Sequence, residues 1–153
     1  MRPRGERISQ KYPWRRDSYG NYICALCGKC CNGRRKYCST ECQDVVYIEC
    51  DPGFARMKVR QRDHGVCAIC GRDYGMLKRT LRRVREIDWV AWDWIREALG
   101  LGNRTHFWEA HHKIAVANGG GGCGLNGYET ICFRCHPKLT GVQRKARNQD
   151  KGE

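Results

Sequence analysis

The chain predicts a small α+β fold in two cysteine-stapled units, on three observations. Twelve cysteines stand among 153 residues, most of them in pairs with two or three residues between them. Apolar residues fall at helical spacing in separate short stretches, and a glycine-rich loop separates two short extended segments near the C-terminal end. Paired cysteines at this spacing suit a tetrahedral zinc ion better than a disulfide framework. Residues 1–14 are Arg-rich without the apolar segment of a secretory signal, and no apolar run is long enough to span a membrane. The expectation is therefore an intracellular, reducing compartment and two structural Zn²⁺ ions, with a secreted disulfide protein disfavoured. Zinc also offsets the small apolar core that units of this size can bury.

Charge narrows the partners. Lys and Arg number 29 against 16 Asp and Glu, a formal net charge of +13. Such an excess draws in polyanions, of which nucleic acid is the commonest.

The elements follow in order. Residues 1–20 are basic and irregular, with Pro3, Pro13 and Gly20, and read as a solvated tail or an arm on a phosphate backbone. Residues 21–50 form an N-terminal four-cysteine zinc unit. Cys24 and Cys27, followed by Gly28, make a zinc knuckle, and Cys38 and Cys42 complete a treble-clef-like set. Thr40 and Gln43 form a capping box, starting a helix through Val45, Val46 and Ile48. Cys30 and Cys31 could replace an assigned ligand or be spare, partly buried thiols; Cys50 and Cys123 receive no role. Asp51-Pro52 reads as an N-cap and first helical residue of a basic helix through Phe54, Met57 and Val59. A second knuckle follows at Cys67 and Cys70, with His64 beside it in a surface or packing role or as a metal ligand.

Residues 78–100 carry apolar groups at Leu81, Val84, Ile87, Ala91, Trp94, Ile95 and Ala98, a single inserted helix ended by Gly100 and Gly102. Trp89, Trp92 and Trp94 are expected in packing. Residues 107–112 form a strand, the glycine run 119–122 a loop, and residues 128–131 a second strand. Cys132 and Cys135 then open a last helix and complete the second zinc set with Cys67 and Cys70.

The adjacent pair His111-His112, the glycine loop, Asn126 and Cys132-x-x-Cys135-His136, after an upstream Cys67-x-x-Cys70, resemble HNH nucleases of the ββα-metal type. The likeness runs over residues 37–147, most nearly to the C-terminal HNH domain of vertebrate zinc-finger annealing helicases; nothing in the sequence resembles a helicase motor. The resemblance implies an HNH core over 51–147, followed by a tail at 148–153, in a DNA endonuclease. It implies His112 as general base, His111 and His136 as ligands of one catalytic divalent metal, and Asn126 as the group that orients His112. An imidazole is suited to accept a water proton near neutral pH, and a divalent ion to stabilise charge on the phosphate and leaving oxygen. Mg²⁺ or Mn²⁺ is the expected ion, with Ni²⁺ or Zn²⁺ as alternatives, because a histidine stands at 111 where many relatives have aspartate. The family asparagine aligns by spacing with Gly127, one position beyond Asn126; the dipeptide could also be a plain tight turn. Arg34, Arg35, Lys36, Lys113, Lys138 and Arg144 are the expected phosphate contacts on double-stranded or branched DNA. A homodimer would be one route to a double-strand cut. The alternative reading is a non-catalytic, zinc-dependent DNA-binding module on the same scaffold.

Overall fold

The computed structural model describes residues 8–149, the side chains of 143–149 excepted. Its N-terminal unit comprises α1 (Ile8–Lys11), β1 (Arg15–Arg16), β2 (Tyr22–Ile23) and α2 (Thr40–Cys50). β1 and β2 pair antiparallel, and the Asp17 carboxylate closes their turn by accepting from the N–H groups of Tyr19 and Asn21. The part of the expected tail that is described, from residue 8, is thus folded. Ile8 and Tyr12 pack against the cluster of Cys24, Cys31, Tyr37 and Val46, and Lys11 and Tyr12 both bind the Glu49 carboxylate on α2. Residues 1–7 lie outside the described residues.

The cap of α2 differs by one residue from expectation. Ser39, in extended conformation, is the N-cap, and its Oγ accepts from the Cys42 N–H at 3.2 Å. Thr40 is already helical, so the capping side chain is the serine before it. This sets Cys42 in the first turn, beside Cys38. Asp51 caps α3 (Pro52–Asp63) as its sequence predicts, accepting from Gly53 and Phe54 N–H with proline at the first position. An ion pair of 2.5 Å between Lys58 and Asp44 ties α3 to α2. His64 ends α3 in left-handed conformation, φ 55°, with its side chain exposed; its role is in the backbone. A Cβ at Gly75 would overlap the carbonyl oxygen of His64, and one at Gly65 would lie 2.8 Å from the Gly75 nitrogen. Only glycine at both positions permits that approach.

The inserted segment is two helices rather than one: α4 (Tyr74–Ile87) and α5 (Trp89–Ala98). Asp88 breaks the period. It is extended, closes α4 by donating its N–H to the Val84 carbonyl, and caps α5 by accepting from Val90 and Ala91 N–H. The rotation at this break also changes which aromatics pack. Trp92 lies against the core with Leu77 and Leu99, whereas Trp89 and Trp94 are 70% and 71% exposed, contrary to the packing expected of them.

The chain ends in β3 (Trp108–His112), antiparallel to β4 (Tyr128–Cys132), and α6 (His136–Gln149). The register pairs Trp108 with Cys132, His111 with Glu129 and His112 with Tyr128. Two small clusters hold this unit: Cys67, Tyr74, Leu81, Leu101, Phe107 and Cys132 on one side, and Ile48, Ala55, Val59 and Tyr128 on the other. Between them, Arg62 and Asp63 at the end of α3 form a polar tie. Arg62 donates at 2.8 Å to the carbonyls of Leu125 and Tyr128, and Asp63 pairs with Arg62 while accepting the hydroxyl of buried Thr130 at 2.9 Å. These bonds fasten the loop before β4 to α3. Arg62→Ala is expected to cost about 1.5–3 kcal/mol, the usual range for hydrogen bonds to a charged group. The check is a denaturant midpoint, which should fall while zinc content stays unchanged.

Candidate metal centres and histidine site

Two clusters of four sulfurs are brought together by the fold. Cys24, Cys27, Cys38 and Cys42 have their ligand atoms within 4.8 Å of one another, as do Cys67, Cys70, Cys132 and Cys135. Both sets are those expected from spacing. Cys27 and Cys38 are 3.5 Å apart, Cys38 and Cys42 3.5 Å, and Cys70 and Cys132 3.8 Å. Sulfurs bound tetrahedrally at about 2.3 Å from one zinc ion stand roughly 3.8 Å apart, so the donor sets fit zinc. No disulfide forms; Cys30 is exposed and Cys31 buried, both outside the clusters.

The knuckles prepare the sulfurs for a cation. Burial opposes ionisation at Cys24, yet backbone N–H groups of Cys27, Cys38 and Leu26 outweigh it and bring the thiol down to about 6. Cys132 is likewise brought down to about 7: burial opposes, and the N–H groups of Cys135 and Arg134 with the Tyr74 hydroxyl prevail. Their neighbours go the other way. Hydrogen bonding to Cys42 and Cys27 pushes Cys38 up to about 12, and burial with hydrogen bonding to Cys132 pushes Cys135 up to about 12. Each cluster so holds a ready thiolate beside a thiol that resists a second negative charge. A divalent cation removes that conflict.

Between the second cluster and the loop lies the histidine pair. Successive strand residues point to opposite faces, so β3 sends His111 and His112 apart. His111 meets His136, the first residue of α6, with ring centroids 5.2 Å apart and planes at 80°. That separation is within reach of two imidazoles sharing one cation at about 2 Å per nitrogen. Burial, then the positive charge available at His136, holds the His111 pKa below the ordinary histidine value and keeps the ring neutral, as a metal ligand must be. Among the described residues, only the two cysteine sets bring three or more such ligands together; the histidines add two.

His112 turns the other way. Its ring lies 4.3 Å from that of Tyr128, and its Nδ1 is 3.3 Å from Cys123 Sγ. Asn126, expected beside it, is exposed in a 3-10 turn, Leu125–Gly127. Cys123 carried no signal in the sequence; it stands alone in a loop, and only the folding of that loop over β3 brings it to the imidazole. Gly127 allows this, since a Cβ there would overlap the Cβ of Cys123 and come within 2.5 Å of its sulfur. A side chain at 127 and the Cys123 sulfur are thus alternatives for the same space.

Of the expected phosphate contacts, Arg34, Arg35, Lys113 and Lys138 are exposed. Lys36 is half-buried, 5.9 Å from the Trp14 ring and 5.7 Å from that of Tyr37. The side chain of Arg144 lies outside the described residues.

No family model matches the chain, and no solved structure matches it. Among known proteins it is similar to the DNA annealing helicase and endonuclease ZRANB3 of Homo sapiens and of Bos taurus, each 28% identical over 154 residues, covering 87% of this chain. It is also similar to that of Mus musculus, 31% identical over 125 residues and 74% of the chain. The chain spans 12–14% of the length of these curated relatives. By homology, the chain is related to a small part of these much longer proteins.

Proposed function

We propose that the chain is a metal-dependent, HNH-type endonuclease that hydrolyses DNA phosphodiester bonds in an intracellular setting. The observation that carries this reading is the divergence of two adjacent histidines on one strand. One faces the histidine that opens α6; the other is held at its Nδ1 beside the loop. A purely structural zinc module gains little from such a pair, and the relatives carry the word endonuclease in their names.

In this reading, a divalent cation at His111 and His136 supplies charge neutralisation at the phosphate and the leaving oxygen when bound. His112 accepts the proton of the attacking water at Nε2, because Nδ1 is engaged by Cys123. Cys123 fixes the ring's rotation, with Tyr128 beneath it. The two cysteine clusters, once loaded with zinc, anchor α2 and the start of α6. Arg34, Arg35, Lys113, Lys138 and Arg144 contact phosphates, and Asn126 lies in the exposed turn toward the DNA. Mg²⁺ or Mn²⁺ would serve the histidine site, with Ni²⁺ and Zn²⁺ as the alternatives; a homodimer or two successive nicks would complete a double-strand cut.

The test is conversion of supercoiled plasmid by the purified chain with each of these metals added separately. Nicking or linearisation supports the nuclease. Binding without cleavage under every metal would replace it with the non-catalytic DNA-binding module.

The sulfur contact makes its own prediction. Cys123→Ala is expected to slow cleavage about tenfold, equivalent to one hydrogen bond of about 1.4 kcal/mol. Gly127→Asn alone should be slower still, because the new side chain collides with the sulfur. The double variant should recover part of the loss, and additive effects in single-turnover rates would show that 123 and 127 do not share one space.

A further inference from the structure

We infer that the groove between α3 and α4 is a second nucleic-acid contact surface, built to hold the phosphate backbone of one strand without reading its bases. The inference rests on the DNA-acting reading above for its ligand class, but on separate residues.

The groove measures about 790 Å³, and eight of its eighteen lining residues are Arg or Lys, with no Asp or Glu among them. Arg56 and Arg60 come from α3; Lys78, Arg79, Arg82 and Arg85 from α4. Arg96 and Arg104 close one end, and Phe107, Trp108 and Trp92 supply the apolar lining. Positions 56 and 60, and 78 and 82, are each one helical step of four residues apart, about 6 Å along the axis. Both walls thus present cations at a repeat of the same order as successive phosphates on a strand.

Arg96 and Arg104 at the closed end donate to backbone carbonyls, but little within the fold uses the charges of the two walls. No ion pair or hydrogen bond engages the side chain of Arg56, Arg60 or Lys78 among the described residues, and all three residues are exposed. Arg82 stands 4.0 Å from Glu86 and Arg79 3.9 Å from half-buried Asp73, long contacts of exposed arginines that contribute little. So dense a set of like charges lowers stability unless an anion completes it.

The aromatic lining argues for backbone rather than base contact. Trp92 has the guanidinium of Arg85 at 5.1 Å from its ring and that of Arg96 at 4.6 Å. Its ring serves as a spacer that fixes two guanidiniums in the groove and is not free to stack a base. Seven of the eight cations are arginines, whose planar fork matches phosphate oxygens bidentately. An acidic peptide would offer carboxylates at irregular spacing and would not need two parallel cationic walls.

The test uses the full chain in the His112→Ala background, so that binding is read without cleavage. Fluorescence anisotropy would follow a labelled single strand and a labelled duplex across a salt series, with polyglutamate as competitor. Two variants, Arg56→Gln/Arg60→Gln and Lys78→Gln/Arg82→Gln, each neutralise two cations on one wall at exposed helical positions where folding should tolerate them. Each is expected to weaken binding at least tenfold and to flatten the slope of log K against log salt by about one to two. Wild-type affinity and slope in both variants would overturn the groove, as would polyglutamate competing as well as DNA per unit charge. Plasmid cleavage by the same variants carrying His112 separates the two readings. Cleavage with undiminished binding rejects the groove and keeps the nuclease; groove-dependent binding with no cleavage by the unsubstituted chain either does the reverse.

Discussion

Replacing His112 with alanine is expected to lower plasmid cleavage about 10²–10⁴-fold, the contribution of a well-placed general base. Binding and fold should hardly change. The side chain is half-buried at one end of β3 and packs on Tyr128, which itself stays buried against Ile48, Ala55 and Val59. Truncation there should therefore cost on the order of 1 kcal/mol, the centre of the range for point substitutions. Neither four-sulfur cluster includes His112, so zinc content should be that of the wild type. The comparison that matters is rate under saturating DNA. A fall in the turnover rate with unchanged DNA affinity is what loss of a proton acceptor produces. Loss of affinity with unchanged turnover would make His112 a binding residue, and full activity in the variant would remove it from the reaction.

The sequence made some features readable because one residue type fixes one local geometry. Two cysteines flanking a short turn prescribe a knuckle, and both clusters assemble from the residues that spacing groups together. Asp51-Pro52 prescribes a helix start for a similar reason: a carboxylate that accepts from the backbone, then a residue with φ already set. The two strands follow from the segments flanking the glycine loop, and the alternation of His111 and His112 follows from the strand period alone.

What escaped depends on contacts between distant segments or on a single competing residue. Asp88 stops α4 and starts α5 within a helical apolar period that continues across it, and that one carboxylate decides that Trp89 and Trp94 face solvent. Ser39 wins the cap over Thr40 by backbone conformation, which two adjacent hydroxyl residues do not distinguish in sequence. Cys123 reaches His112 only through the loop's path over β3, and Arg56 and Lys78 come to line one groove where His64, Gly65 and Gly75 bring the end of α3 against the start of α4. Helical spacing marks each basic stripe as a solvated face; only the meeting of the helices makes the two stripes one groove.

Cys132→Ser is expected to abolish the second zinc site and unfold the unit built on it, leaving one zinc per chain. Cys132 is fully buried between Cys67, Tyr74, Leu81 and Phe107, pairs with Trp108 across the sheet, and donates its backbone N–H to the sulfur of Cys67 at 3.3 Å. Backbone N–H groups and the Tyr74 hydroxyl also bring its thiol down to about 7 despite burial. A serine hydroxyl stays protonated there and cannot replace a thiolate ligand. Structural zinc contributes on the order of 10–16 kcal/mol to folding in small zinc units, against a net stability of about 5–15 kcal/mol for an ordinary domain. Losing the ion thus exceeds what the small cluster around Leu81 and Phe107 can offset. Because His136 follows Cys135 directly, its approach to His111 should be lost with the metal, and cleavage with it. Cys30→Ser is the matched control: that thiol is exposed and outside both clusters, so its variant should keep two zinc ions and wild-type melting. Zinc stoichiometry by atomic absorption with far-UV circular dichroism reads both variants. Two zinc ions and native melting in Cys132→Ser would mean that another thiol completes the site, and the assignment of its four ligands would have to be redrawn.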